Sequence, residues 1–201
     1  MSTCTEQKPE TDTLMAKVTE MMVATVDGSD ENIDGVIGDV LRLLRDRMHM
    51  DVVFVSEFVD GQRVMRHLDK SSSAISLANG DSAPLEESWC QRVVDGRLPQ
   101  FIADASKEPA AAELLPALPF PIGTHISTPI VLSTGDVYGT LCCFSLQPDS
   151  TATANDLARL RLTAQLAAHK LEHYSGVVPR AANHAPEPFV REASPEHAIS
   201  D

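Results

Sequence analysis

The sequence predicts an α+β domain: one central antiparallel β-sheet, helices on both of its faces, and long helices at its two ends. Three observations predict it. Helical patterns stand at both ends of the chain, and most strand patterns lie between them. Ile126–Leu132, rich in β-branched residues, and Val137–Leu146 are separated only by the polar break Ser133–Asp136. Gly135 in that break takes φ > 0 at no steric cost, so the two segments read as a hairpin. Finally, the second of these strands carries apolar or small side chains on both faces. Val137, Leu141 and Cys143 lie on one, and Tyr138, Cys142 and Phe144 on the other. A strand apolar on both faces belongs in the middle of a sheet covered on both sides. Gly139 leaves room for a close approach to the backbone.

The elements follow in order. Residues 1–12 are polar, lack large apolar side chains beyond the first Met, and are expected to be disordered. Leu14, Val18, Met21, Met22 and Val26 recur at helical spacing, and Asp27–Asp30 breaks the pattern. Ser29 or Asp30 is placed to cap the next helix. That helix, Glu31–Met48, has Ile33, Val36, Ile37, Val40, Leu41, Leu44 and Met48 on one face. Val52–Val59 and Arg63–Leu68 are strands joined through Asp60-Gly61, a hairpin signal. Asp69–Ala83 reads as a loop.

Pro84 suits a first helical turn, so a helix is expected over Leu85–Asp95, with Leu85, Trp89 and Val93 on one face and Gly96 as its stop. Pro99–Ala103 is a short strand, and Ala110–Leu118 a short helix before the central hairpin. After Pro148, Thr153 and Asp156 resemble a capping box. The helix behind them runs to about Tyr174, with Leu157, Leu160, Ala164, Ala167 and Leu171 at intervals of three and four. Residues 13–175 therefore form the expected domain. The Pro- and Ala-rich stretch 176–201 is expected to be a disordered tail or linker.

Composition narrows the function classes. Of 201 residues, 43% are apolar, a globular value, and 29 acidic residues against 16 basic ones give a formal net charge of −13. Nucleic acid needs a basic footprint and an anionic membrane surface attracts one, so neither is expected as a partner. No apolar run approaches the roughly eighteen residues that a membrane span needs. No basic segment followed by an apolar one marks a secretion signal at the N-terminus. The spacing of Cys4, Cys90, Cys142 and Cys143 shows no C-x-x-C pairing, which fits thiols in a reducing cytoplasm.

Four segments carry a family resemblance. These are E-E-S-W-C-Q-R-V-V-D-G at Glu86–Gly96, L-P-Q-F-I-A-D-A at Leu98–Ala105, P-I-G-T-H-I-S-T-P-I at Pro121–Ile130, and G-D-V-Y-G-T-L-C-C-F at Gly135–Phe144. Together with the order of elements, they resemble GAF domains from about Glu31 to Leu171. The resemblance implies a cytoplasmic sensor module of bacterial signalling proteins, with a small-molecule pocket between sheet and helices. Members of this family regulate attached kinases, cyclic-di-GMP enzymes or transcription factors and bind cyclic nucleotides, haem, bilins or small metabolites. No such effector segment follows the domain in this sequence. Regulation of an effector in trans, or a place within a longer protein, is the expectation.

On that frame Trp89, Cys90, Phe54, Ser56, His125, Ser127 and Cys142 are expected to line or border the pocket, because a helix and the central strands converge there. Cys90 reads either as a buried inert thiol or as a redox or attachment thiol. With a helix beginning near Pro84 it lies in the second turn, beyond most of the dipole's reach. Cys142 and Cys143 point to opposite faces and read as core filling. Bilin-binding relatives place a Cys close to a His, and no such neighbours occur here.

His125 either hydrogen-bonds a ligand, ligates haem, or is satisfied by backbone. His169 and His173, four apart on the last helix, have metal-ligand spacing without a third ligand nearby in sequence. No metal site, no catalytic residues and no particular cofactor are assigned. Three functions stay open: a non-enzymatic small-molecule sensor, a redox sensor or reductase using Cys90 with Cys142 or Cys143, and a structural dimerisation module. The apolar stripe of the last helix and Leu14, Val18, Met21 and Met22 of the first point to a parallel homodimer through the terminal helices.

Overall fold

The structure, a computed structural model, describes residues 16–19 and 30–174. The expected disordered ends, most of the first helix (Leu14, Met21, Met22 and Val26) and Cys4 lie outside the described residues. Val18, in a helical turn at 16–19, is fully buried.

Six strands make one sheet: β1 (Val52–Val59), β2 (Gln62–Lys70), β3 (Ser82–Pro84), β4 (Phe101–Ile102), β5 (His125–Val131) and β6 (Val137–Phe144). Their order is β3-β2-β1-β6-β5-β4, and every neighbouring pair is antiparallel. The strand apolar on both faces, β6, thus lies at the centre, as its composition requires. At the β1–β2 turn both Asp60 (φ 51°) and Gly61 (φ 71°) are left-handed. This is the primed geometry that matches strand twist.

Gly139 does admit a close approach, and what approaches is β1. A Cβ at this position would lie 1.9 Å from the Ser56 carbonyl oxygen. The register between β5 and β6 slips between Ile130 and Val131. Such a slip upsets strict alternation. Tyr138 accordingly packs with the core that contains Leu141 and Cys143, and not with Cys142 and Phe144 as alternation alone predicts.

Two cores flank the sheet. One face is covered by α1 (Asp30–Arg47) and α4 (Ala154–Tyr174), the long helices at the domain's two ends. Val40, Leu41 and Leu44 of α1 and Leu160 and Ala164 of α4 meet Val53, Val55, Ile126, Leu141 and Cys143 there. The whole stripe of α4 is involved, with Leu157 and Leu171 partly buried against the same core. Asp156 closes the start of α4, its Oδ2 accepting the Thr153 N–H at 2.8 Å. The other face is covered by α2 (Trp89–Val94), α3 (Pro109–Ala112) and the connections around them.

Several boundaries differ from the sequence reading. β2 runs from Gln62 to Lys70, longer than Arg63–Leu68, and the expected loop contains the edge strand β3, paired to Gln62–Val64. The expected helix Ala110–Leu118 is one α-turn followed by a 3-10 turn, Leu115–Ala117, where Pro116 removes a backbone donor. The expected helix Leu85–Asp95 is divided at Ser88, which reshapes the site described next.

Candidate functional site

Leu85–Glu87 forms a 3-10 turn, and Ser88 then adopts an extended conformation (φ −76°, ψ 144°). Its hydroxyl donates to the Leu85 carbonyl at 2.7 Å and accepts the Gln91 N–H at 3.1 Å. Ser88 is therefore an N-cap, and α2 starts at Trp89. Cys90 consequently lies in the first turn of α2, correcting its expected place in a second turn. Trp89, Cys90 and Val93 face inward and are buried.

Between α2, the sheet and the 114–122 segment lies a cavity of about 490 Å³. Phe54 and Phe144 form its sheet wall with Met65; Trp89, Cys90 and Arg92 come from α2, and His125 from the start of β5. Phe120 lines it as well and stacks on Phe144, ring centroids 5.4 Å apart. Of the seven residues expected at the pocket, Phe54, Trp89, Cys90 and His125 line it. Ser56, Ser127 and Cys142 are fully buried and lie outside the lining. The register explains their neighbourhood: Phe54, Cys142 and Ser127 form one row across β1, β6 and β5, and Phe144 and His125 pair in the row alongside.

These three border the cavity through Cys90. Its Sγ lies 3.6 Å from Cys142 Sγ, which in turn contacts Ser127 Oγ at 2.7 Å and Thr140 Oγ1 at 3.2 Å. Thr140 is 2.9 Å from Ser56 Oγ. Within this buried cluster the Cys142 thiol hydrogen bond favours ionisation of Cys90. Burial opposes that; Thr140, the Arg63 charge and Ser56 add smaller support. Burial, and then the neighbouring Cys90 sulfur, push Cys142 upward. Cys143 points into the opposite core, where burial raises its pKa too. It cannot join this cluster.

His125 is 2% exposed, and burial lowers its pKa to about 4, so the ring is neutral at pH 7. Its Nδ1 makes no hydrogen bond among the described residues, in contrast to the backbone-satisfied histidine that the sequence also allows. The same holds for Trp89 Nε1, Arg63 Nη1 and Arg92 Nε: all are buried, and all four residues line the cavity.

Arg63, Arg92 and Glu87 line the cavity as well, and none of them is among the residues expected there. A signal for Arg92 exists, since it follows Trp89 by three residues and shares its helical face. Arg63 shares strand parity with Met65. Among the described residues no group of three His, Cys, Asp or Glu side chains is arranged to hold a metal, and His169 is exposed on α4. A wider depression of about 760 Å³ borders the same 118–122 segment, with Asp104, Pro116 and Pro148 on its rim. It opens broadly to solvent and contains none of the four unpartnered polar atoms.

Comparison with known proteins agrees with this architecture. The GAF domain of an Acinetobacter phosphoenolpyruvate-protein phosphotransferase superposes with a TM-score of 0.64 at 18% identity, over 83% of this chain and 94% of that one. Free methionine-R-sulfoxide reductase from Neisseria meningitidis, solved in complex with its substrate, gives 0.62 at 14% identity, over 88% and 99%. The chromophore-binding domain of an R. palustris bacteriophytochrome gives 0.66 at 14%, over 85% of this chain, which spans 64% of that domain. At these identities the likeness establishes the fold. No curated protein matches the sequence. A family model described as GAF domain matches residues 30–172, and the chain is thus a member of the GAF domain family, whose members include ligand-binding sensor modules of phytochromes and other signalling proteins.

Proposed function

We propose that this chain is a signal-transduction sensor that binds a small molecule in the cavity under α2 and regulates a partner or effector. The observation that carries the reading is the pair of buried ring nitrogens, Trp89 Nε1 and His125 Nδ1, in the cavity wall with no partner among the described residues. A buried polar group left unbonded costs on the order of 1–3 kcal/mol, and a ligand atom that bonds it removes that cost. The volume of about 490 Å³ suits a metabolite-sized molecule. Ligand contact with α2 would shift its packing on β5 and β6, the strands that α4 covers from the other side. The reduced, buried thiols fit a cytoplasmic setting. Association, in this reading, would use the outward side of the terminal helices.

Native mass spectrometry of the protein purified from its own host tests the reading. A retained mass, lost in Trp89→Ala, is the expected result. A bare-chain mass that stays unchanged after incubation with the host's small-molecule extract would overturn it.

The 3.6 Å sulfur contact favours a second reading, a thiol switch. Peroxide would oxidise the Cys90 thiolate to a sulfenic acid, itself reduced to water. Attack by the Cys142 sulfur would then form the disulfide and release a second water. The expected product is a loss of two hydrogen masses that Cys90→Ser abolishes; peroxide-treated protein with no such loss would end this reading.

A further inference from the structure

We propose that the ligand of this cavity is an organic anion: an apolar body carrying a carboxylate or phosphate group that Arg63 and Arg92 bind. The inference rests on the sensor reading and adds to it the class of ligand.

Carboxylates are abundant in this chain, and Arg42, Arg45, Arg66, Arg97 and Arg159 each pair with one, while Arg47 and Arg161 are exposed to solvent. Among the described residues Arg63 and Arg92 form no ion pair. Both line the cavity, and each holds a guanidinium nitrogen that is buried without a hydrogen-bond partner. Glu87 lines the same cavity and pairs with neither. Both side chains are half-buried, and the buried nitrogen that each leaves unbonded carries a desolvation cost in the free protein that an anionic ligand would remove. Their planar donor forks match the oxygen pairs of carboxylate and phosphate.

The remainder of the wall sets the rest of the ligand. Phe54, Phe120, Phe144 and Met65 present apolar surface, so a bare inorganic ion would leave most of the cavity unfilled. Trp89 Nε1 adds a neutral donor, and neutral His125 adds either a donor or an acceptor. The positive charge therefore meets an acidic head, and the aromatic walls meet an apolar body.

The chain contains a single tryptophan, Trp89, so its fluorescence reports on this cavity directly. The full chain is titrated with phenylacetate, phenyl phosphate and the neutral phenylacetamide, following Trp89 emission and Tm. At least one acid is expected to change the emission and raise Tm, and the amide to require at least roughly tenfold more ligand, a charge-assisted bond being worth well over a neutral one. Whichever acid binds more tightly distinguishes carboxylate from phosphate. Arg63→Gln and Arg92→Gln should each weaken the acid about tenfold or more while leaving the ligand-free Tm unchanged or higher. A structural arginine would lower it. Should either variant not fold, Arg63→Lys and Arg92→Lys keep the charge, lose the fork, and should still weaken the acid measurably. The proposal is overturned if neither acid binds at millimolar concentration, if the amide matches the acids, or if the arginine variants bind like the parent. A neutral molecule retained by host-purified protein would overturn this inference and leave the sensor reading standing; no retained mass together with no probe binding would end both.

Discussion

The Trp89 indole and the His125 imidazole meet edge to face in the cavity wall, centroids 5.1 Å apart and planes 70° apart. This contact joins α2 to β5 and buries the imidazole with no charged partner. Its pKa of about 4 against the ordinary 6.5 makes stability depend on pH. Between these values the unfolded chain takes up a proton that the folded chain refuses. Stability is therefore full above about pH 6.5 and falls as the pH drops toward 4, by a limit of about 3 kcal/mol. Urea midpoints measured at pH 7.5 and 5 should differ, and the difference should shrink in His125→Phe. The lowered carboxyl groups of Asp95 and Asp104 act below this window. An undiminished difference in the variant would refute the assignment to His125.

The thiols should react unequally. Cys90 lines the cavity and its ionisation is favoured by the Cys142 hydrogen bond, whereas Cys142 and Cys143 are fully buried with raised pKa values. In a Cys4→Ala background, iodoacetamide followed by peptide mass mapping should modify Cys90 first. Modification of the three at one slow rate would reduce Cys90 to core filling.

Glycine substitutions at two sites should have opposite signs. At Gly139 a Cβ would meet the Ser56 carbonyl oxygen at 1.9 Å, so Gly139→Ala must push β1 from β6 and should cost about 3 kcal/mol or more. At Gly38, inside α1, a Cβ meets nothing within 4 Å. Gly38→Ala should stabilise by roughly 0.5–1 kcal/mol through helix propensity. Denaturant midpoints for the two proteins check both signs, and Gly139→Ala with an unchanged midpoint would contradict the sheet packing.

What was legible in the sequence follows the strength of the local signal. β1 is bounded by Asp60-Gly61 and is found at its expected residues, and α4 carries its apolar stripe over Ala154–Tyr174. The GAF resemblance and the central place of β6 rest on long patterns that tertiary packing reinforces. β3 has three residues including a proline and only partner strand β2, so no period exists to reveal it. Ser88 looks like any helical position until its cap geometry is seen, and the register of Cys90 on α2 depends on it. Trp89, Cys90, Phe54 and His125 were placed at the pocket because a helix and the central strands converge there, and the cavity lies at that convergence. Arg63 and Arg92 were not: a charged side chain on an amphipathic element ordinarily marks its solvated side. What sets them apart is three-dimensional: each places a buried, unbonded guanidinium nitrogen in the cavity wall.

The apolar stripe of α4 leads to the last prediction. Sequence pattern alone allows Leu160, Ala164 and Ala167 to face either a second copy of the chain or the sheet. In the structure they are buried in the core under α1 and the sheet, with Leu160 wholly inaccessible. That stripe is therefore unavailable for dimerisation, while Leu162, two residues on and turned to the other side of the helix, is 42% exposed. Leu160→Glu would put an unpaired carboxylate into the apolar core and remove a buried leucine. Loss of the side chain's burial alone costs about 2–5 kcal/mol, and the charge adds to it. The expected result is loss of the cooperative unfolding transition by circular dichroism. Leu162→Glu should keep the parent transition within about 0.5 kcal/mol, as surface changes do. Light scattering at micromolar concentration then separates packing from association. If the terminal helices pair, the mass should fall in the folded Leu162→Glu protein, with Leu160→Glu failing by unfolding. A folded Leu160→Glu protein with reduced mass would show instead that the stripe belongs to an interface.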